Sequence, residues 1–363
     1  MKAALISLGS VSSKWTSHAM KKYFKEVDEI DLRKIDVTLK GGELDIVYDG
    51  KPIKEYDCVF AKGSFRYVSL LRAISYELSK KSYMPLSPQS FTLGHDKLLS
   101  QLEMYRTSIP MPKTYLAATP KSGKKLLENV NYPIVMKFPS GTGGKGVMFA
   151  DSYSSASSLL DALTALKQPF IIQEFVETGG VDIRAFVVGD KVVAAMKRKA
   201  VQGEKRANIH AGGEGESCEL DYHTKKIAVE AARSIGAEIC GIDILDSPKG
   251  PVVIEINLSP GLQGITKATG LDIADMIAKH LYKRTKEVKG AEKETDAKKI
   301  MEDIGIEKTS KGGQIKEVIT TLDFRGERIL LPKEMTKASK LDEDDEVIVN
   351  AEDGKIEIKR FTV

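Results

Sequence analysis

Residues 252–261 read VVIEINLSPG, and within that apolar, β-branched run stand a carboxylate, Glu255, and an amide, Asn257, two positions apart. Side chains along a strand alternate in direction, so residues 255 and 257 project from one face. A charge buried among apolar neighbours is costly unless it is paired or binds a cation. Upstream, CGIDILD (240–246) places Asp243 between Ile242 and Ile244, which alternation sends to the opposite face. The intervening DSPKGP is turn-rich, so the two strands are expected to be antiparallel neighbours that put Asp243, Glu255 and Asn257 on a common surface. Carboxylate and amide oxygens without histidine or cysteine favour hard cations, magnesium or manganese, which bridge protein carboxylates to substrate phosphates. The competing reading is the solvent-facing polar side of a half-exposed sheet.

A glycine loop bears on that choice. GTGGKG fits G-x-G-x-x-G at Gly141, Gly143 and Gly146, with Gly144 inside. A Rossmann loop needs a strand before and a helix after, and here VMFA, a strand, follows. No Lys-Ser or Lys-Thr pair closes a P-loop, and no HRD or DFG segment of a protein kinase lies downstream. The loop is either a plain glycine turn or a hairpin loop whose backbone N–H groups cover polyphosphate. Lys137, the lone charge in PIVMKF just before it, favours the second as a phosphate ligand acting as a point charge.

The composition, 42% hydrophobic and 29% charged, is that of a globular protein, and a net charge of +4 is too small to argue for nucleic acid or membrane. Three scattered cysteines suit neither a zinc site nor a disulfide framework and fit a reducing cytoplasm. MKAALISLGS is too short an apolar run for a signal peptide, and no stretch has the length of a membrane span, so a cytoplasmic protein is expected.

The first residues alternate strand and helix: a strand in MKAALISL, a helix over 17–27, a strand at 57–63 and a helix over 66–82. That pattern predicts a small, mostly parallel sheet, with MPLSPQS (84–90) as a connector. Next come a helix over 95–109, strands at 132–140 and 147–152, a helix over 154–166 and a strand at 170–177. Gly189-Asp190 centres a hairpin over 182–200, and 223–237 is helical. From Lys283 to Gly313 charge dominates, as in a linker or solvated helix, and EVIVNAEDGKIEIK (346–359) is a hairpin about Asp353-Gly354.

Taken in order, HDK, Lys137, the glycine loop, IIQEF, DIR, KRANIHAGG, GIDIL and EINLSPG resemble the ATP-grasp superfamily, and within it the RimK-like α-L-glutamate ligase branch, over roughly residues 85–285. The resemblance implies an α/β chain, α+β in its ATP-grasp part: a small N-terminal α/β domain (1–88), then a two-lobed catalytic domain (89–285). It implies an ADP-forming ligase using ATP and magnesium or manganese, two ions, in which a carboxylate attacks the γ-phosphate and an amine displaces phosphate from the acyl phosphate. By the same resemblance Lys97 and Lys137 hold phosphates under Gly141, Gly143, Gly144 and Gly146, and Glu174 and Phe175 form the hinge that reads adenine. Asp182 is a further nucleotide contact, and Arg206 and Asn208 an R-x-N element beside the triphosphate, Arg206 acting with Lys137 in catalysis. Asp243, Glu255 and Asn257 match the metal ligands, while Arg198, Ser259 and Gly261 are candidate substrate contacts, Gly261 allowing close backbone approach. The plainer alternatives are a surface role for Lys97, a cross-strand salt bridge from Asp182 to Lys197, and an exposed basic strand end at Arg198. Ala211 stands where the branch has arginine before Gly-Gly.

The expected partners are an amino acid, glutamate foremost, and a carboxylate acceptor. Acceptors in the branch include a protein tail, a pterin or deazaflavin cofactor, and an amino-group carrier protein of lysine or arginine biosynthesis. After the charged segment 286–313, residues 314–363 are similar to AbrB-type swapped-hairpin domains, through the R-G-x-x-x-L-P-K-E-like opening and the D-D-E-V hairpin. This implies a β-rich domain that makes a homodimer or binds DNA; in the second case the whole chain would be a regulator with an ATP-sensing domain. Residues 314–363 carry 9 Lys and Arg against 12 Asp and Glu, a net of −3, which favours dimerisation over DNA.

Overall fold

The computed structural model describes residues 1–141, 146–199, 214–303, 323–325, 328–331, 339, 341–342, 345–352 and 355–361. The chain divides into two compact units, Met1–Lys289 and Gly290–Val363.

The first unit begins with β1 (Lys2–Ser7), α1 (Val11–Met20), β2 (Glu26–Asp31), β3 (Ile35–Lys40), β4 (Glu43–Tyr48), β5 (Lys51–Pro52), β6 (Cys58–Ala61) and α2 (Val68–Leu78). The expected parallel sheet is present in the order β2–β1–β6, its centre the fully buried run Ala3–Ile6. The first helix lies upstream of its expected place, and Val27 belongs to β2. Ser10, whose hydroxyl accepts from the Ser13 N–H, sets the start, and the buried face is Ser12, Ser13, Thr16, Ser17 and Ala19 with the expected Met20 at its end, rather than a continuous apolar stripe. Residues 35–52, for which no element is expected, form an antiparallel meander β3–β4–β5.

Next come α3 (Pro88–His95), α4 (Lys97–Arg106), β7 (Thr114–Tyr115), α5 (Pro120–Leu127), β8 (Ile134–Lys137), β9 (Val147–Ala150), α6 (Tyr153–Ala165) and β10 (Ile171–Glu174). The connector at 84–90 is thus partly helical, and Asp96 divides the expected helix by capping α4 through the N–H groups of Leu98 and Leu99. The sheet runs β7–β10–β8–β9, all antiparallel. One face packs Ile134, Met136 and Ile172 on Leu127, Leu160 and Leu163 of α5 and α6. The other face, with Val135, Lys137, Phe149 and Gln173, walls a cavity.

The second lobe holds β11 (Val181–Val188), β12 (Lys191–Lys199), β13 (Glu214–Ser217), α7 (Tyr222–Ser234), β14 (Ile239–Ser247), β15 (Gly250–Asn257), α8 (Gln263–Thr269) and α9 (Ile273–Asp303). Its antiparallel sheet runs β13–β12–β11–β14–β15. Gly236, at φ +72°, lets the end of α7 meet α3: its carbonyl accepts from the Ser87 N–H and the Ser90 hydroxyl, and a Cβ there would lie 2.5 Å from Ser87 Oγ. Of the charged segment, residues up to Asp303 are helix, the continuation of α9. The second unit contains the hairpins β16 (Asp323–Arg325) with β17 (Arg328–Leu330) and β18 (Val347–Glu352) with β19 (Lys355–Arg360). Among the described residues no helix is long and apolar enough to cross a membrane.

Candidate active site

A cavity of about 710 Å³ opens between the faces of the two antiparallel sheets and reaches the small parallel sheet through Ser7, Lys62 and Gly63. Two β-bulges decide which side chains meet there. Counted back from Ser247↔Gly250, a regular β14–β15 hairpin would pair Asp243 with Ile254 and send Glu255 to the other face. The register shifts after Asp243, leaving Ile254 as the extra residue, so Asp243 pairs with Glu255 and Gly241 with Asn257. The three oxygen-bearing residues share one face for that reason, and Ile254 joins the cavity wall.

The second bulge lies in β11–β12. Regular counting from Val188↔Lys191 would oppose Asp182 to Lys197, but the shift between Phe186 and Val187 opposes it to Arg198. The expected Asp182–Lys197 pair is therefore replaced by a bidentate bond from Arg198 to Asp182, both contacts 2.6 Å. Arg198 is buried, not an exposed strand end, and also reaches Asp243 Oδ2 at 3.0 Å. Arg184, two residues after Asp182 and thus on its face, donates to both oxygens of Asp243, with Nη2 2.8 Å from Oδ2. Burial would raise the Asp243 carboxyl, but Arg184 and Arg198 outweigh it and hold it below the usual range. Asp182 is pushed up to about 6 by burial and by Asp243, with Arg198 pulling the other way.

On the facing sheet Lys137 Nζ donates to Gln173 Oε1 at 2.6 Å, and Gln173 Nε2 donates to Thr114 Oγ1 at 2.9 Å. Burial lowers the Lys137 ammonium to about 8. Lys97 is no free surface lysine: its side chain is 14% exposed, with Nζ 2.9 Å from the Gly141 carbonyl and 3.7 Å from Glu255. Gly146 closes the loop at φ +80°, where a Cβ would overlap the Phe138 ring. Gly143, Gly144, Arg206 and Asn208 lie outside the described residues.

The donors fit a hard cation. A carboxylate offers about four lone pairs, and the two guanidinium groups take three on Asp243, leaving one on Oδ1. Asn257 Oδ1 accepts the Ser259 N–H at 3.0 Å and keeps its second lone pair. Glu255 is more than a third exposed, and among the described residues Lys97 is its ion-pair partner, at 3.7 Å. No cage of three His, Cys, Asp or Glu is gathered among the described residues. That suits magnesium, which binds through one or two carboxylates and completes its shell with waters and phosphate oxygens.

At the other end, Phe149 meets Phe175 edge to face at 5.8 Å, and Val135, Leu245 and Ile254 extend an apolar slot suited to a flat ring. The Glu174 carboxylate turns aside, accepting from Tyr115 at 2.6 Å. Ser259 Oγ donates to the Gly63 carbonyl at 3.1 Å, and the Leu262 N–H to Ser12 Oγ at 2.9 Å, stitching the loop after β15 to the small domain. Gly261 lines the cavity with open space where a Cβ would stand. Arg184, Gln173, Phe149 and Ile254 carry no sequence expectation. Period-two alternation from Asp182 would have found Arg184, whereas the others look like ordinary strand residues.

Residues 94–281 match the family described as the RimK-like ATP-grasp domain. A "Probable alpha-L-glutamate ligase" of Marinomonas sp. (strain MWYL1) is 40% identical over 262 residues, 71% of this chain and 87% of the relative. Its namesake in Vibrio atlanticus (strain LGP32) is 38% identical over 265 residues, 72% and 88% of the two chains. Among solved structures, the ATP-grasp ligase PsnB complexed with minimal precursor, Mg and ADP superposes with a TM-score of 0.61 at 17% identity, over 78% of this chain and 98% of that one. The RimK domain protein ATP-grasp from Sphaerobacter thermophilus DSM 20745 gives 0.60 at 16%, over 77% and 99%. At such identities the likeness is one of fold, and the mixed α/β fold is that of ATP-grasp ligases.

Proposed function

This chain belongs to the RimK-like ATP-grasp family of ATP-dependent ligases, and from that premise we propose that it joins the amino group of L-glutamate to a carboxylate acceptor, releasing ADP and phosphate. The observation that carries the reading is the Asp243–Glu255 pair on a face walled by Lys97 and Lys137, beside a slot for a flat ring. The donor set favours magnesium or manganese, two ions, held by Asp243, Glu255 and Asn257. Such an ion, when bound, neutralises charge on the transferred phosphoryl group.

The side chains do the rest by position. Lys137 and Lys97 set point charges against the phosphates, and the glycine loop from Gly141 to Gly146 is proposed to supply backbone N–H groups to them. Phe149, Phe175 and Ile254 hold the base. Arg206 and Asn208 are proposed to meet the triphosphate, and Arg198 with Arg184 to fix the Asp243 carboxylate rather than to hold substrate directly. With water excluded, the acceptor carboxylate attacks the γ-phosphorus, and the amine then displaces phosphate from the acyl phosphate and loses a proton. PsnB, solved with a precursor peptide, supports a protein tail as one acceptor, beside a pterin, a deazaflavin or a carrier protein. The reducing compartment suggested by three free cysteines supports a cytoplasmic setting.

ADP release with L-glutamate and a panel of acceptors, read with product mass, tests the reading; AMP in place of ADP would overturn the acyl-phosphate route.

For the second unit we propose an AbrB-like domain that self-associates. Val349 and Ala351 on β18 stand opposite Ile358 and Ile356 on β19, so one hairpin face is apolar up to the Val347–Arg360 pair at its end. Val349 and Ile356 are 58% and 55% exposed, which a second copy of the hairpin would bury.

A further inference from the structure

Lys62 follows β6 and walls the same cavity, yet the steps above give it no work. It is 7% exposed, and its backbone N–H bonds the Ile6 carbonyl. Among the described residues its ammonium has neither carboxylate nor hydrogen-bond acceptor; the nearest partner is the Phe60 ring, 5.8 Å away. Burial lowers it to about 8, with no acid opposing the effect. Among the described residues the other Lys and Arg side chains on the cavity are engaged: Lys97 by Gly141 and Glu255, Lys137 by Gln173, Arg184 and Arg198 by aspartates. A buried ammonium without a counter-ion costs stability, and a ligand anion in the cavity would repay it.

Its surroundings suit an anion. Ser7, Ser10, Ser13 and Ser64 line the same region, Ser10 and Ser13 from the first turn of α1, where the helix dipole favours negative charge. Ser64 makes no capping bond with its hydroxyl. Gly63, the next residue, accepts from Ser259, which follows the metal-face residue Asn257 by two. Through that bond the segment carrying Lys62 is tied to the loop that ends β15, the strand of Glu255 and Asn257. The phosphates already have Lys97 and Lys137, whereas the L-glutamate of the proposed reaction carries carboxylates that do not react, and an acidic acceptor carries a further one.

We propose that Lys62, with the hydroxyls of Ser10 and Ser64 and the start of α1, is the subsite that anchors a non-reacting substrate carboxylate. The inference rests on the ligase reading and assigns the small domain a direct part in substrate selection. Such a carboxylate comes from the amino-acid substrate or from the acceptor.

The test is calorimetric titration of the full chain, saturated with magnesium and the non-hydrolysable ATP analogue AMPPNP, using L-glutamate for the first source and N-acetyl-L-glutamate for the second. Lys62→Met should weaken one probe by about tenfold or more, and Lys62→Arg should restore it, since a charge-assisted bond is lost and regained. The weakened probe identifies the source. AMPPNP affinity should be unchanged, and the thermal midpoint of unliganded Lys62→Met should hold or rise because a buried charge has gone. Equal binding of both probes by wild type and Lys62→Met would overturn the subsite and leave the ligase reading standing. Binding of AMPPNP but of neither probe by wild type would remove the glutamate reading and the subsite together. Loss of AMPPNP affinity in Lys62→Met would make the lysine structural and also overturn the proposal.

Discussion

Asp243 and Glu255 face each other across β14 and β15, yet their surroundings differ. Asp243 lies between two guanidinium groups, while Glu255 is largely free beside Lys97. Glu255→Gln should abolish turnover and leave the urea midpoint unchanged; retained activity would defeat the metal-face assignment. Asp243→Asn should also destabilise the fold, by about 3–5 kcal/mol in urea unfolding, because it leaves buried guanidinium charge uncompensated. Lys137 supplies a pH prediction. Burial holds its free ammonium at about 8, and bound phosphate raises it, so nucleotide binding takes up protons near pH 8 and weakens as pH rises beyond. Calorimetry of AMPPNP binding in buffers of different ionisation enthalpy should show that uptake in wild type and lose it in Lys137→Met. Lys137 and Glu255 were legible in the sequence because a lone charge in an apolar strand calls for an explanation. Gln173 and Phe149 were not, since an amide or a phenyl ring in a strand is unremarkable without its neighbours.

At the scale of elements, hairpins and helices over 132–257 follow from periodicity and turn residues, while the registers do not. A bulge adds one residue that looks like any other member of an alternating run, so Ile254 and the shift after Phe186 are invisible until the strands pair. They nonetheless decide that Glu255 faces Asp243 and that Asp182 faces Arg198. The first helix misled for another reason: apart from Met20 its buried face is small and mostly polar, and helical periodicity is read from large apolar residues. The glycine loop gives a prediction here. Gly146→Ala meets both a positive φ and the Phe138 ring, so the loop must shift and the KM for ATP should rise about tenfold or more, with a small change in thermal midpoint. An unchanged KM would mean the loop does not cover the phosphates.

For the whole molecule, α/β alternation foretold the small parallel sheet and composition marked the change after Lys283, whereas contacts between distant segments had no local signal. Self-association can be tested without removing any segment. Val349 and Ile358 pair across the hairpin, so the double substitution Val349→Lys, Ile358→Lys places two charges on the apolar face. Sedimentation should then show wild type as a dimer and the variant as a monomer with unaltered ATP turnover; a dimeric variant would place the interface elsewhere. The stitches from Ser12 to Leu262, Gly63 to Ser259 and Tyr23 to Asp275 have a consequence for synthesis. The N-terminal residues are made first, but these partners arrive some 200 residues or more later, so a nascent chain presents α1 and the loop after β6 without them while the rest emerges. Protease added to stalled ribosomal complexes should cut near α1 until the loop after β15 has cleared the exit tunnel. The anchor for substrate, finished early in the chain, would thus become usable only when the last catalytic strand closes over it.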